Sequence, residues 1–185
     1  MTSSISTKQG DVFVFRAFTK DDAADLTTFF TSLSEQTRSQ FGPHPLTAEY
    51  VKSHLGQQLA IDKVSRFILA TQQQIVGYFI VDHNNYPNEL MRYASYGIDL
   101  DFSVDPVFAP CIHDDYQNQG LASLAMAALL PILAQANINS LVLMGGTQAP
   151  NLVARNFYKK FNFQALGEFH TEHNHLNNID MRLRF

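Results

Sequence analysis

The sequence has little cysteine and no long apolar run. Cys111 is the only cysteine in 185 residues, which excludes a disulfide framework and favours a reducing compartment, so we expect a cytoplasmic protein. The most apolar stretch, residues 121–136, contains Ser123, Pro131 and Gln135 and is shorter than the ~20 apolar residues that a membrane helix needs. The first ten residues also lack the apolar core of a signal peptide. We therefore expect no membrane partner.

Charge is sparse too, and there is no basic excess. Charged residues make up 16% of the chain and the net charge is −4, which gives no support for nucleic-acid binding. The hydrophobic share of 45% over 185 residues predicts one domain, residues 1–185, with a single sizeable core. No Asp, Glu, Lys or Arg occurs from Tyr116 to Ala154. A helix in this stretch is either buried by its own chain, which we favour, or a subunit contact, so a monomer and a homodimer both remain open.

The spacing of apolar and chain-breaking residues predicts one mixed α/β domain. The predicted strands lie at 12–15, 67–70, 75–81, 107–112, 140–144, 163–169 and 179–185. The predicted helices lie at 19–34, 47–59, 121–136 and 150–161. The polar residues 1–10 are expected to be frayed. Alternating apolar residues over 98–102 suggest an exposed strand or hairpin.

The stretch from Val107 to Ala136 joins a predicted strand to a long apolar helix through the polar turn Gln117-Asn118-Gln119-Gly120-Leu121-Ala122. A strand that feeds such a turn points free backbone N–H groups and the positive end of the helix dipole at one spot. Gly120 lets a ligand approach the backbone closely. The pattern suits an anion such as a phosphate; an ordinary strand-to-helix turn is the alternative.

This turn resembles the pyrophosphate loop of the GNAT-type N-acetyltransferases, Q/R-x-x-G-x-G/A, which Gln117, Gly120 and Ala122 match. Residues 112–116 resemble the family's apolar-x-Pro-acid-Tyr lead-in, with Asp114 where proline is usual. Residues 151–163 resemble the second family signature, N-x-x-A-x-x-F/L-Y-x-K-x-G-F, with Asn162 in place of glycine. The two signatures occur in the family's order, which makes the pair more specific than either one alone.

The resemblance implies an α/β (α+β) fold with a single GNAT-type domain. It implies a mixed central sheet of about six to seven strands with helices on both faces, in which the fourth and fifth strands splay apart. It also implies an acetyl-CoA-dependent N-acetyltransferase that transfers the acetyl group to a primary amine of a small molecule or peptide. The amine would attack acetyl-CoA directly in a ternary complex, with no metal.

The resemblance also suggests which residues bind the cosubstrate, with a backbone N–H between Cys111 and His113 as the donor to the thioester oxyanion. The candidates are Cys111, Ile112, His113, Gln117, Asn118, Gln119, Gly120, Leu121, Ala122, Ser123, Asn151 and Tyr158. Tyr158 is the candidate general acid for the departing thiolate, because a phenol can donate a proton; a tyrosine packed on the sheet is the alternative. Asn151 either contacts the cosubstrate or orders its loop, and the alternative is a helix cap.

The general base is not evident. Some family members carry a carboxylate on or just after the fifth strand, but residues 143–147 contain none. The candidates are Asp99, Asp101, Glu89, His113 and His44, each of which has a plain solvated residue as its alternative, or else a water chain. The missing carboxylate also motivates a second hypothesis, a non-catalytic module on the same fold that binds or senses acyl-CoA.

The acceptor pocket and a metal site are the remaining questions. The rigid loop 41–45 is expected to line the acceptor pocket through Phe41 and His44, with Asp99 and Asp101 as further candidates; a simple turn is the alternative. Three histidines near the C-terminus, His170, His173 and His175, have spacings that can bind zinc. No fourth ligand is evident nearby, so we favour a solvated turn and no metal. Cys111 is expected to be a small buried apolar residue rather than a nucleophile.

Overall fold

The computed structural model describes residues 2–55, 62–143, 145–172 and 175–185, which contain nine strands and six α-helices. The strands are β1 (Thr2–Ser6), β2 (Val12–Ala17), β3 (Val64–Ala70), β4 (Ile75–Asp82), β5 (Val107–Ile112), β6 (Ser140–Leu143), β7 (Thr147–Gln148), β8 (Gln164–Thr171) and β9 (Leu176–Arg184). The helices are α1 (Ala23–Ser32), α2 (Glu35–Ser39), α3 (Ala48–Tyr50), α4 (Pro87–Ser95), α5 (Leu121–Gln135) and α6 (Leu152–Lys160). Two compact units divide the chain: residues 1–81 with 109–132, and residues 82–108 with 133–185.

The first unit is built on the consecutive strands β1, β2, β3 and β4. The β1–β2 and β2–β3 pairs are antiparallel, and the hairpin between β3 and β4 closes with the Thr71 N–H donating to the Gln74 carbonyl at 2.9 Å. A buried apolar cluster joins α1 to these strands, with Leu26, Phe30 and Ile68 at its centre. The second half of β5 and the start of α5 also belong to this unit.

The second unit is organised around β9, which pairs antiparallel with β6, β7 and β8. The first two residues of β5 pair parallel with the end of β6, Val107 with Val142 and Phe108 with Leu143. Tyr93 of α4 is buried in an apolar cluster with Phe102, Val107 and Val142. This cluster fixes α4 on the strands of its own unit, which matters below because α4 carries Glu89.

The predicted mixed α/β class is confirmed, but three local predictions were wrong. Nine strands are present where about six to seven were expected. Residues 1–10 were expected to be frayed, yet Thr2–Ser6 form β1 through antiparallel pairing with β2. The exposed strand expected at 98–102 is absent from the described structure, in which α4 lies just before it. Helix 47–59 is confirmed as α3 followed by a π-helical turn over Val51–Leu55, and its last residues lie outside the described ranges.

Helix α5, the centre of the charge-free stretch, buries one stripe. Its buried residues are Leu121, Ala125, Met126, Leu129 and Leu133. Their spacing of four, one, three and four residues is that of a single helix face, so the chain itself covers this face of the helix and leaves the rest of it partly or fully exposed. Pro131 lies inside α5 and is exposed. No helix in the described ranges is both long enough and apolar enough to cross a membrane.

Candidate functional site

The turn after β5 has the backbone that the anion-binding interpretation requires. The chain leaves β5 through a 3₁₀ turn over Asp114–Tyr116. Asn118 and Gly120 then adopt positive φ angles of 61° and 79°, and α5 begins at Leu121. A Cβ atom on Gly120 would meet nothing within 4 Å, so glycine is favoured here by its backbone angle and not by crowding.

The start of α5 offers unused hydrogen-bond donors. The N–H groups of Ser123 and Leu124 both donate to the Gly120 carbonyl, at 3.0 and 3.1 Å. The N–H groups just before them have no intrahelical acceptor, because a helix leaves its first donors unpaired. Gln119 and Gly120 are exposed to solvent. Backbone N–H groups without an intrahelical acceptor at the positive end of a 15-residue helix suit an anion such as a pyrophosphate.

Asp114, which replaces the proline of the family lead-in, ties the turn to α2. Its carboxylate accepts hydrogen bonds from the Ser34 N–H at 2.8 Å, the Ser34 Oγ at 2.5 Å and the Thr37 Oγ1 at 2.6 Å. Desolvation raises the pKa of Asp114, but the donors from Ser34 and Thr37 outweigh it and lower that pKa to about 2. Sequence reasoning missed Ser34 and Thr37, since 80 and 77 residues separate them from Asp114.

The Gln117 side chain is used inside the protein. Its Nε2 donates to Thr37 Oγ1 and to the Ile112 carbonyl, both at 3.1 Å. Gln117 therefore holds the turn in shape, and only its backbone stays a candidate for contact with the cosubstrate. Thr37 receives this bond while its own hydroxyl donates to Asp114, so one network fixes both ends of the 3₁₀ turn.

His113 and Cys111 are held by the first unit in ways that limit their proposed roles. The His113 N–H donates to the Val76 carbonyl at 2.9 Å, which removes it from the candidates for the oxyanion donor. The His113 Nδ1 accepts from the Asp115 N–H at 3.2 Å, so we assign the proton to Nε2, which faces Ser32 Oγ at 3.1 Å. Burial raises the pKa of the Cys111 thiol to about 12, which supports its interpretation as a small apolar residue.

The acceptor-loop candidates Phe41 and His44 lie in an aromatic cluster of the first unit. Phe41 is buried, and the His44 ring stacks on Tyr50 with centroids 4.0 Å apart. The His44 Nδ1–H donates to the Pro45 carbonyl at 3.0 Å, so its Nε2 accepts from the Tyr78 hydroxyl at 3.3 Å. Burial lowers the pKa of His44 to about 4, and the lone pair that a base would use is already occupied.

The second family signature lies in the second unit. Asn151 caps α6, since its Oδ1 accepts from the Ala154 N–H at 3.0 Å. Tyr158 is buried between Phe157 and Phe163, with ring centroids 5.1 and 5.2 Å away. Its hydroxyl makes no hydrogen bond within the described residues, and burial raises its pKa. Tyr158 is therefore a protonated phenol at neutral pH, which is the state that a general acid requires.

The remaining candidates differ sharply in exposure. Asp99 and Asp101 are exposed, and the Asp101 carboxylate accepts from the Ser103 hydroxyl at 2.7 Å and the Ser103 N–H at 2.9 Å. These bonds lower the pKa of Asp101, which makes it a poor base. His170 and His175 are exposed, His173 is outside the described residues, and no group of three metal-ligating side chains occurs in the described ranges.

Glu89 is not the solvated residue that its alternative interpretation assumed. It lies in the first turn of α4, is 8% exposed, and pairs with Arg92. Its Oε1 accepts from the Gly145 N–H at 3.3 Å. Arg92 also binds Asp180, with Nη2 donating to Oδ1 at 3.0 Å. Burial is the largest cause of a raised pKa at Glu89, and the charge of Asp180 adds to it.

Each unit thus contains part of the predicted set. The first unit contains the turn, Phe41 and His44, and the second contains Asn151, Tyr158, Asp99 and Asp101. The assignment of these residues to one site stays a prediction. One signal in the sequence could have located Glu89: proline at position 87 followed by an acid and then Arg92 is typical of a short helix.

Several solved structures share the fold of this chain. The GNAT domain of S. lividans PAT matches with a TM-score of 0.74 at 13% identity, over 100% of this chain and 97% of that chain. The ribosomal-protein-S5-alanine acetyltransferase from Vibrio fischeri matches with a TM-score of 0.74 at 13% identity, over 98% and 96%. A GNAT-family acetyltransferase from Streptococcus pneumoniae matches with a TM-score of 0.69 at 17% identity, over 94% and 99%. No curated protein matches significantly.

These likenesses confirm the predicted GNAT-type fold, with more strands than expected. The sequence profile described as "Acetyltransferase (GNAT) family" matches residues 28–163, which is more than half of the chain and includes the turn after β5. Members of this family generally use acetyl-CoA as cosubstrate. From the paired signatures, the fold and this match, the chain belongs to the GNAT acetyltransferase family.

Proposed function

We propose that the chain is an N-acetyltransferase that moves the acetyl group of acetyl-CoA to a primary amine of a small molecule or a peptide. The observation that carries the proposal is the turn from Gln117 to Ala122, with its two positive φ angles and the unpaired donors at the start of α5. These donors would hold the pyrophosphate. The N–H groups of Cys111 and Ile112 are the candidates for the oxyanion donor.

In this proposal Tyr158 protonates the sulfur as the thioester breaks. Its burial supports the role, since a raised pKa keeps the phenol protonated at neutral pH. The amine attacks while both substrates are bound, because holding two reactants together lowers the entropic barrier to their reaction. We propose a cytoplasmic protein, and a monomer and a homodimer are equally compatible with this chemistry.

The test is a thiol-release assay with a panel of amines, from peptide N-termini and lysine to polyamines and aminoglycosides. Removal of a general acid typically slows catalysis by about 100-fold or more, so Tyr158→Phe should lower kcat by about that factor. The free energy of unfolding should change by less than about 0.5 kcal/mol, since the hydroxyl has no described partner.

Tyr93→Phe is the matched control, since Tyr93 is a buried tyrosine of the same unit whose hydroxyl donates to the Met181 carbonyl at 3.2 Å. This variant should lose about 1 kcal/mol of stability with kcat unchanged. Full kcat in Tyr158→Phe would remove Tyr158 from the mechanism.

The second candidate is a module that binds acyl-CoA without catalysis, and it rests on the missing carboxylate in residues 143–147. Acetyl-CoA binding in the absence of turnover with every amine of the panel would favour it. Turnover that is lost in Tyr158→Phe would rule it out.

A further inference from the structure

Helix α4 carries a carboxylate to the end of β6. Strand β6 ends at Leu143, and the Gly145 N–H two residues later donates to Glu89 Oε1 at 3.3 Å. Residues 143–147 contain no acidic residue of their own. Glu89, 56 residues away in the sequence, therefore supplies a carboxylate at a position where the local sequence has none.

The negative charge of Glu89 is only partly neutralised by the groups around it. Arg92 is the cation of the cluster, and it binds Asp180 through both Nε and Nη2 while its Nη2 also reaches Glu89. Asp180 accepts a third bond, from the Tyr96 hydroxyl at 3.1 Å, and is 0% exposed. One cation thus serves two carboxylates, and Asp180 has the larger share of the donors. Burial raises the pKa of Tyr93 and of Tyr96, and the charges of Asp180 and Glu89 raise both further, so these two phenols stay neutral beside the cluster.

The space beside this contact is open. Gly145 has a φ of +64°, and a Cβ atom built on it would meet nothing within 4 Å. The Glu89 side chain keeps 10% of its surface exposed, whereas that of Asp180 keeps none. Of these two carboxylates, Glu89 is therefore the more accessible to a second molecule.

We propose that Glu89 is the general base that accepts the proton from the acceptor ammonium before acetyl transfer. The inference deepens the proposed function and rests on it. A base works best when its pKa lies near the working pH, and burial together with Asp180 moves Glu89 in that direction. Asp101, with its lowered pKa, and His44, with its occupied lone pair, lack this property.

The step balances as follows. One proton passes from the ammonium to the Glu89 carboxylate and then to solvent, which leaves a neutral amine. The nitrogen lone pair forms a C–N bond to the thioester carbon, and the C–S bond breaks with its electron pair on sulfur. The sulfur gains one proton, and the nitrogen loses its second. The products are the N-acetyl amine, the free thiol and one proton in solvent.

The experiment compares Glu89→Gln with the wild-type protein in kcat/KM for the best amine, measured from acid to alkaline pH. The expected loss at neutral pH is about 100-fold, as for removal of a general base. The loss should narrow as pH rises, because the free amine then forms without a base. The dissociation constant for acetyl-CoA should stay unchanged. Glu168→Gln, the same change at an exposed glutamate of the same unit, is the control and should keep full activity.

Each outcome separates the two proposals. Suppose that the wild-type protein binds acetyl-CoA and acetylates an amine, and that kcat/KM of Glu89→Gln stays within about two-fold of the wild-type value at every pH. This result would overturn the role of Glu89 and leave the proposed function intact. A wild-type protein without turnover would overturn the proposed function itself. If Glu89→Gln does not fold, the wild-type pH profile of kcat/KM decides, recorded with two amines of different pKa. A limb that belongs to a base of the protein keeps its position for both amines, whereas a limb that only follows the pKa of each amine would overturn the role of Glu89.

Discussion

Two carboxylates that lie beside strand ends in this protein have opposite surroundings. Asp114, after β5 in the first unit, accepts three short hydrogen bonds from Ser34 and Thr37. Glu89, at the end of β6 in the second unit, has one long bond from Gly145 and a share of an arginine that also serves Asp180. The pKa of Asp114 falls to about 2, while that of Glu89 is raised.

The difference shows that the balance between burial and hydrogen-bond donors, and not the chemical group, sets the pKa of a carboxylate. The Asp114 carboxylate accepts three hydrogen bonds from protein donors, so it stays ionised and links the turn to α2. Glu89 is buried, has fewer donors and lies beside the negative charge of Asp180, so it takes up a proton more readily. The first arrangement stabilises structure, and the second suits proton transfer.

Removal of the Asp180 carboxylate should have the largest effect on the free energy of unfolding, because Arg92 then loses one of its two carboxylate partners. The variant Asp180→Asn removes a fully buried carboxylate from the half-buried Arg92, and breaking such a pair costs about 3 kcal/mol or more. Urea unfolding measures this loss.

In Asp180→Asn, Arg92 pairs with Glu89 alone, so the ascending limb of the pH profile of kcat/KM should move to lower pH. Glu168→Ala, an exposed carboxylate on β8, is the control and should change stability by less than about 0.5 kcal/mol. An unchanged urea midpoint in Asp180→Asn would contradict this account of the cluster.

The variant Asp114→Asn should have a smaller effect, about 1–2 kcal/mol in the free energy of unfolding, since an amide cannot accept all three bonds. The pH dependence has a definite sign. The folded pKa is depressed from 3.8 to about 2, so the stabilisation is complete above about pH 4 and is lost as pH falls towards 2. Urea titrations of both proteins in this window measure it. An equally steep acid loss in Asp114→Asn would assign the loss to other groups.

Glu89 should change the free energy of unfolding with pH in the opposite direction to Asp114. Because its pKa is raised in the folded state, that state holds the proton more tightly, and stability should fall as pH rises through the folded pKa. This slope should be missing from Glu89→Gln and present in Asp114→Asn.

The same two carboxylates show where sequence reasoning succeeds and where it stops. The turn after β5 is local, so the strand, the glycine and the apolar helix could all be predicted from consecutive residues. The hydrogen bonds that link this turn to α2 could not be predicted, since Ser34 lies 80 residues from Asp114 and nothing in either segment specifies the other. The resemblance to the family's lead-in motif marked Asp114 only as the position where proline is usual.

Helix α4 was missed for a physical reason. It has only nine residues, fewer than the roughly 11–18 over which a helical period can be recognised in a sequence. Its stability comes from tertiary packing, with Tyr93 buried among Phe102, Val107 and Val142. Strand β1 was missed similarly, because its polar sequence forms a strand only through pairing with β2. Without α4, the placement of Glu89 beside Gly145 could not be predicted.

The most direct test of the central claim, that the turn after β5 binds acetyl-CoA, is titration calorimetry on three proteins. Wild type should bind acetyl-CoA and free CoA with micromolar affinity. Gly120→Ala should bind about five-fold more weakly, since alanine is strained by about 1 kcal/mol at a φ of 79°. Gly97→Ala, with a φ of 74° and equally open space, has the same strain and should keep wild-type affinity. Absence of binding in wild type, or equal affinity in Gly120→Ala, would contradict the account.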